Sequence, residues 1–73
     1  MKKNNMVKFK KNSCVKIINK DDQYFNKKGF IAKILPFEDK ILYSVYVYAC
    51  EKLIVYNEED LEETDFPYYK EEE

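Results

Sequence analysis

Apolar and polar positions alternate with a period of two along most of this chain. In "SCVKIINK" Val15 and Ile17 fall on one side and Lys16 on the other, the pattern of a half-buried β-strand. The polar stretch "DDQYFNKKG", interrupted by Tyr24 and Phe25, reads as a connection that closes on Gly29, the only glycine. A lone glycine at a strand entry marks a turn, a bulge or a close backbone approach. "FIAKIL" is then a second strand. Its apolar pair Ile31 and Ile34 is out of period, which a β-bulge would repair. "LPFEDK" reads as a turn with Pro36 fixing φ at its second position.

The third strand, "ILYSVYVYAC" over residues 41–50, carries apolar and aromatic side chains on both faces. Tyr43, Val45, Val47 and Ala49 share one face, and Leu42, Ser44, Tyr46, Tyr48 and Cys50 the other. "CEK" reads as a tight connection to a fourth strand, "LIVY". Asn57 would cap one helical turn, "NEEDLEE", with acids in its first turn where they suit the helix dipole. Leu61 would dock that turn on the core, and "TDFP" would end it. Short strands joined by turns, with no sustained helical period, predict an all-β fold: a small twisted antiparallel barrel of four to five strands with one short helical turn near residues 58–63. Seventy-three residues make one domain. It is expected over residues 1–63, with 1–6 as a flexible basic start and 64–73 as an acidic, aromatic-containing tail.

The order of these elements resembles the Src-homology-3-like small barrels, in particular the KOW-type ones, over about residues 7 to 63. The resemblance rests on "VKIINK", the loop "DDQYFNKKG", "FIAKIL", "LYSVYV" and "LIVYNEEDLEE". Gly29, Ile31 and Ile34 match that family's glycine and apolar partners, Tyr43, Val45 and Val47 its aromatic strand, and Leu61 its anchoring leucine. Asn12–Ser13 and Asn26 stand where such barrels often carry glycines, and "CEK" replaces an Asp-Gly-like turn. The resemblance extends to small barrels found in phages and prophages. The scarcity of Arg, Gly and Ala beside abundant Lys, Asn, Ile and Tyr suggests AT-rich codons, which agrees with a low-GC bacterium or its phages.

Composition narrows the chemistry. Hydrophobic residues at 45% and a net charge of −1 suit a folded chain rather than a disordered one. There is no histidine, so the commonest general base and metal ligand are missing. The pairs Asp21–Asp22 and Glu38–Asp39 fall in predicted loops, where adjacent acids form turns. Neither Cys14 nor Cys50 has a histidine to activate it. The reading is therefore of a protein that is not an enzyme and takes no metal or cofactor. Two reduced cysteines, no signal peptide and no apolar run of membrane-spanning length predict a cytoplasmic protein that avoids membranes.

Charge is polarised along the chain. Residues 1–28 carry a balance of +7, residues 29–57 a balance of 0, and residues 58–73 a balance of −8. All 13 cations are lysines, which lack the planar fork that reads guanine or clamps phosphate. In a barrel, Tyr43, Val45 and Val47 suit the interior, and Tyr46 and Tyr48 point outward with Leu42 beside them. Those outward rings are either an interface anchor or are covered by the N-terminal segment or by Phe66 and Tyr68 of the tail.

Two functions remain. The favoured one is a protein-binding module, monomeric or weakly dimeric. Its contacts would come from Leu42, Tyr46 and Tyr48 and from the tail residues Asp65, Phe66, Tyr68, Tyr69, Glu71, Glu72 and Glu73. Its expected partner is a host protein with a basic surface, the concrete form being a phage-encoded, anti-CRISPR-like inhibitor of a nucleic-acid-handling machine. The alternative is a nucleic-acid binder of low specificity, in which Lys8, Lys10, Lys11 and Lys16, with Phe9 stacking among them, track a backbone.

Overall fold

The computed structural model describes residues 7 to 64. Five antiparallel strands form one sheet in the order β4-β3-β2-β1-β5. They are β1 (Cys14–Ile17), β2 (Lys28–Phe37), β3 (Lys40–Val47), β4 (Lys52–Asn57) and β5 (Leu61–Glu63), with a 3-10 turn, Glu58–Asp60, between the last two. The chain is all-β, as its alternating pattern predicts, and the coiled sheet encloses one core in a barrel-like globule.

The period-two pattern decides what lies inside. Val15 and Ile17 from β1, Ile31 from β2, Tyr43, Val45 and Val47 from β3, Tyr56 from β4 and Leu61 from β5 are buried together. The anticipated bulge is present. Ile31 pairs with Val45 and Lys33 with Ser44, so Ala32 is the extra residue. It returns Ile34 to the core side, where it packs against the buried cluster. Gly29 pairs with Val15 and Val47. A Cβ there would run into the backbone carbonyl of Tyr46, so of the three roles open to this glycine it serves the close approach.

Three local expectations need correction. Pro36 and Phe37 are not a turn but the end of β2, paired with Ile41 and Lys40. Proline loses no ladder bond where its missing N–H faces away from the partner strand. The turn is only Glu38–Asp39, with Glu38 at φ 54°. Strand β3 ends at Val47 rather than Cys50, because the chain reverses through Tyr48–Glu51. The Glu51 N–H donates to the Val47 carbonyl at 2.8 Å across that reversal. Finally, the helical turn stops at Asp60, and Leu61 opens a fifth strand beside β1.

Side-chain clamps hold the loops to the sheet. The Tyr56 hydroxyl donates to Asp22 Oδ1 at 3.1 Å, fastening the β1–β2 loop to β4. Asp22 Oδ1 also accepts the Tyr24 N–H at 2.8 Å. Phe9 is 1% exposed and sits edge-on to Tyr43, with ring centroids 5.2 Å apart. Above it the Tyr43 hydroxyl accepts the Lys8 N–H at 3.1 Å and donates to Glu58 Oε2 at 3.0 Å. Burial pushes the Tyr43 and Tyr56 hydroxyls above the usual tyrosine range. The carboxylates of Glu58 and Asp22 add to that shift, while the N–H groups of Phe9 and Lys8 oppose it at Tyr43.

Candidate functional site

The outer face of the sheet carries a row of aligned residues. Cys14 pairs with Phe30, Phe30 with Tyr46, and Tyr46 with Leu53. Directly opposite residues in antiparallel strands bring their side chains together on one face, so the row follows from register alone. Tyr48 lies just past β3, yet its N–H donates to the Lys28 carbonyl at 3.1 Å, which keeps it beside β2.

Three rings therefore meet. The centroids of Phe30 and Tyr46 are 5.4 Å apart, those of Phe30 and Tyr48 5.9 Å, and those of Tyr46 and Tyr48 5.8 Å with the planes at 71°. Offset and edge contacts of this kind suit the ring quadrupoles. With Asn12 and Cys14 the rings line a groove of about 460 Å³. All five residues of the lining are neutral: three aromatic rings, a thiol and an amide. Such a surface takes an apolar or aromatic group and orients it with a few hydrogen bonds.

The structure brings together Tyr46 and Tyr48 among the residues singled out from sequence. Leu42 is on the same face of β3 but four residues from Tyr46, about 13 Å along the strand, paired with Leu35 and Asn57. It is no part of the groove. Asp65, Phe66, Tyr68, Tyr69, Glu71, Glu72 and Glu73 lie outside the described residues.

The lysine set is divided. Lys8, Lys10 and Lys11 are exposed around the N-terminal segment, but Phe9 is corrected from a stacking platform to a plug of the core. Its ring is spent on Tyr43, with the Lys8 ammonium 5.4 Å from its centroid. Lys16 lies between Lys28 of β2 and Glu62 of β5, so an acid stands beside it on the sheet.

Phe30, Cys14 and Asn12 are the site residues that sequence reasoning missed. The alternation around Val15 and Ile31 already turns Cys14 and Phe30 outward. Pairing Phe30 with Tyr46, however, requires both the two-residue turn at Glu38–Asp39 and the bulge at Ala32. Placing the turn at Pro36 loses that register. Asn12, also in the lining, sits at φ 75°, a left-handed conformation that asparagine tolerates.

Among the described residues no group of three or more His, Cys, Asp or Glu side chains is placed to hold a metal ion. No helix among them is long and apolar enough to cross a membrane. No protein-family model, curated protein or solved structure matches this chain.

Proposed function

We propose that this protein is a small, non-catalytic protein-binding module whose contact surface is the groove formed by Asn12, Cys14, Phe30, Tyr46 and Tyr48. The observation that carries this reading is the aromatic triad itself. It is half-buried, faces away from the core, and is held on three neighbouring backbone positions whose register is fixed by a bulge and a tight hairpin. Rigid tyrosines offer large contact area at low entropic cost. The strand order, with a 3-10 turn before the last strand, supports a Src-homology-3-like assignment. The finer form is a phage-encoded, anti-CRISPR-like inhibitor that meets a basic host surface, and it draws on the acidic balance of residues 58–73.

The competing nucleic-acid reading loses its stacking residue with the burial of Phe9. Capture experiments from host lysate separate the two. The wild-type chain is expected to retain a protein partner after nuclease treatment, and Tyr46→Ala with Tyr48→Ala is expected to release it while the fold persists. Capture that disappears with nuclease and survives the double substitution would transfer the function to the lysines.

A further inference from the structure

We infer that the open edge of β4 pairs with the same edge of a second copy of this chain, the two strands running antiparallel about a two-fold axis at Ile54. Strand β4 ends the sheet, and among the described residues only β3 pairs with it. The hydrogen bonds around β3 show which groups of β4 are left over. The Tyr48 N–H turns to β2 and meets the Lys28 carbonyl at 3.1 Å, while the Val47 carbonyl turns the other way and accepts the Glu51 N–H at 2.8 Å. Bonding direction alternates along an antiparallel strand. Tyr43, Val45 and Val47 therefore bond β4 through their partners Tyr56, Ile54 and Lys52. Leu53, Val55 and Asn57 turn their backbone groups to the open edge. Asn57 agrees, since its N–H donates to Asp60 Oδ2 at 3.2 Å.

That edge is unguarded. Folded proteins blunt an edge strand with charge, proline, a bulge or short length. Strand β5 at the opposite edge does so, with three residues that include exposed Glu62 and Glu63. Between Lys52 and Asn57, β4 carries only Leu53, Ile54, Val55 and Tyr56, and its register with β3 is unbroken. The residues that offer their backbone also expose their side chains: Leu53 is 60% exposed and Val55 54%.

The edge is complementary to itself. A two-fold axis at Ile54 sets Leu53 opposite Val55 of the second copy and Val55 opposite its Leu53. Each of these two pairs exchanges two backbone bonds, and the four apolar side chains cover one another on the outer face. Charge selects the antiparallel sense. Lys52 stands at one end of β4, and Glu58, Glu59 and Asp60 follow its other end. Antiparallel pairing brings each Lys52 towards the acidic turn of the other copy, and Glu51 falls opposite Asn57. Parallel pairing would set Lys52 against Lys52. The contact is isologous and closes at two chains. The row Phe30–Tyr46–Leu53 then continues onto Val55 and Ser44 of the second copy, so one outer face carries both grooves.

Four backbone bonds and four apolar side chains make a small interface, below about 1,200 Å². Sedimentation equilibrium of the full chain is expected to show monomer and dimer exchanging with a Kd of about 10 μM to 1 mM. Val55→Lys should keep the circular dichroism spectrum of the wild type and sediment as a monomer throughout that range. Phe37→Lys alters a residue equally exposed at 57%, at the β2–β3 hairpin, and should dimerise as the wild type does. Register is read by mixing Leu53→Cys chains with Val55→Cys chains under mild oxidation. Opposite residues lie within bridging distance, so peptide mapping should find the 53–55 disulfide in the mixture and little 53–53 or 55–55 linkage in either variant alone. A wild type that is monomeric up to 1 mM overturns the inference. Dimers that survive Val55→Lys, or that Phe37→Lys dissolves, place the contact on another surface and overturn it as well. Should Val55→Lys fail to fold, the cysteine mixture decides: 53–53 linkage as abundant as 53–55 rejects the pairing.

Discussion

Among the described residues, four other than glycine adopt positive φ: Asn12 at 75°, Asn26 at 74°, Glu38 at 54° and Glu51 at 57°. An L-residue in this region costs about 1–2 kcal/mol, and asparagine relieves part of that through local hydrogen bonding. Two of the four are asparagines, Asn12 and Asn26, and two are glutamates, Glu38 and Glu51. Glutamate offers no such relief. Glu51→Gly is therefore expected to stabilise the protein by up to about 1 kcal/mol, the left-handed strain relieved less glycine's entropy cost. Urea denaturation should show the midpoint moving up with an unchanged slope. Gly29 has the opposite constraint, since its φ is ordinary and the difficulty is space. Gly29→Ala sets a methyl against the Tyr46 carbonyl. Backbone cannot yield as a side-chain tip does, so a loss of about 2–4 kcal/mol is expected. The same substitution should disturb Tyr46 and with it the groove, visible as a shift in its ring resonances.

At the scale of elements, β3 explains its own loading. Its inner residues Tyr43, Val45 and Val47 are fully buried, while its outer ones share the groove and the edge beside β4. The short segment before β1 is as much a structural element as any strand, because Phe9 fills the end of the core over Tyr43. Phe9→Ala should cost about 3–5 kcal/mol. A domain of this length holds only about 4–11 kcal/mol in all, so the variant should melt far below the wild type in thermal scans. A surface-exposed stacking residue would leave the melting point nearly unchanged. This residue also shows where legibility ended. Valine and isoleucine alternation identified the core faces of β1 and β3, and the mismatch of Ile31 with Ile34 identified the bulge, because both are local and periodic. Phe9 stands among lysines with no period around it, so only tertiary packing reveals it. The groove was half legible. Tyr46 and Tyr48 follow from alternation within one strand, whereas Phe30 and Cys14 join them through register, which depends on where a hairpin turns. Proline drew the turn two residues early, since its fixed φ suits a turn and a strand end alike.

Across the whole molecule the tyrosine hydroxyls join the loops to the sheet, and that makes stability depend on alkaline pH. Tyr56 reaches Asp22 in the β1–β2 loop, and Tyr24 of the same loop and Cys50 of the β3–β4 turn both pack against the core. Tyr43 joins β3 to Glu58 and to the N-terminal segment. All three hydroxyls are held above their ordinary value of 10.0 in the fold. Burial is the largest cause for Tyr43 and Tyr56, and the neighbouring Cys50 side chain for Tyr24. The folded state therefore keeps these protons at a pH where the unfolded chain has released them. Their contribution is complete below pH 10 and is lost as pH rises from there through the folded values. For the buried Tyr56 the slope approaches about 1.4 kcal/mol per pH unit, because an ionised phenolate would face the Asp22 carboxylate at hydrogen-bond distance. With no histidine in the chain, nothing of that kind titrates near neutrality. Denaturant midpoints should accordingly be flat between about pH 6 and 8 and fall steeply above 10. Tyr56→Phe should cost about 1 kcal/mol at neutral pH through the lost bond to Asp22, yet show a shallower alkaline decline than the wild type. An equal decline in both proteins would mean that Tyr56 ionises as it does in the unfolded chain and that its bond to Asp22 does not hold the loop in solution.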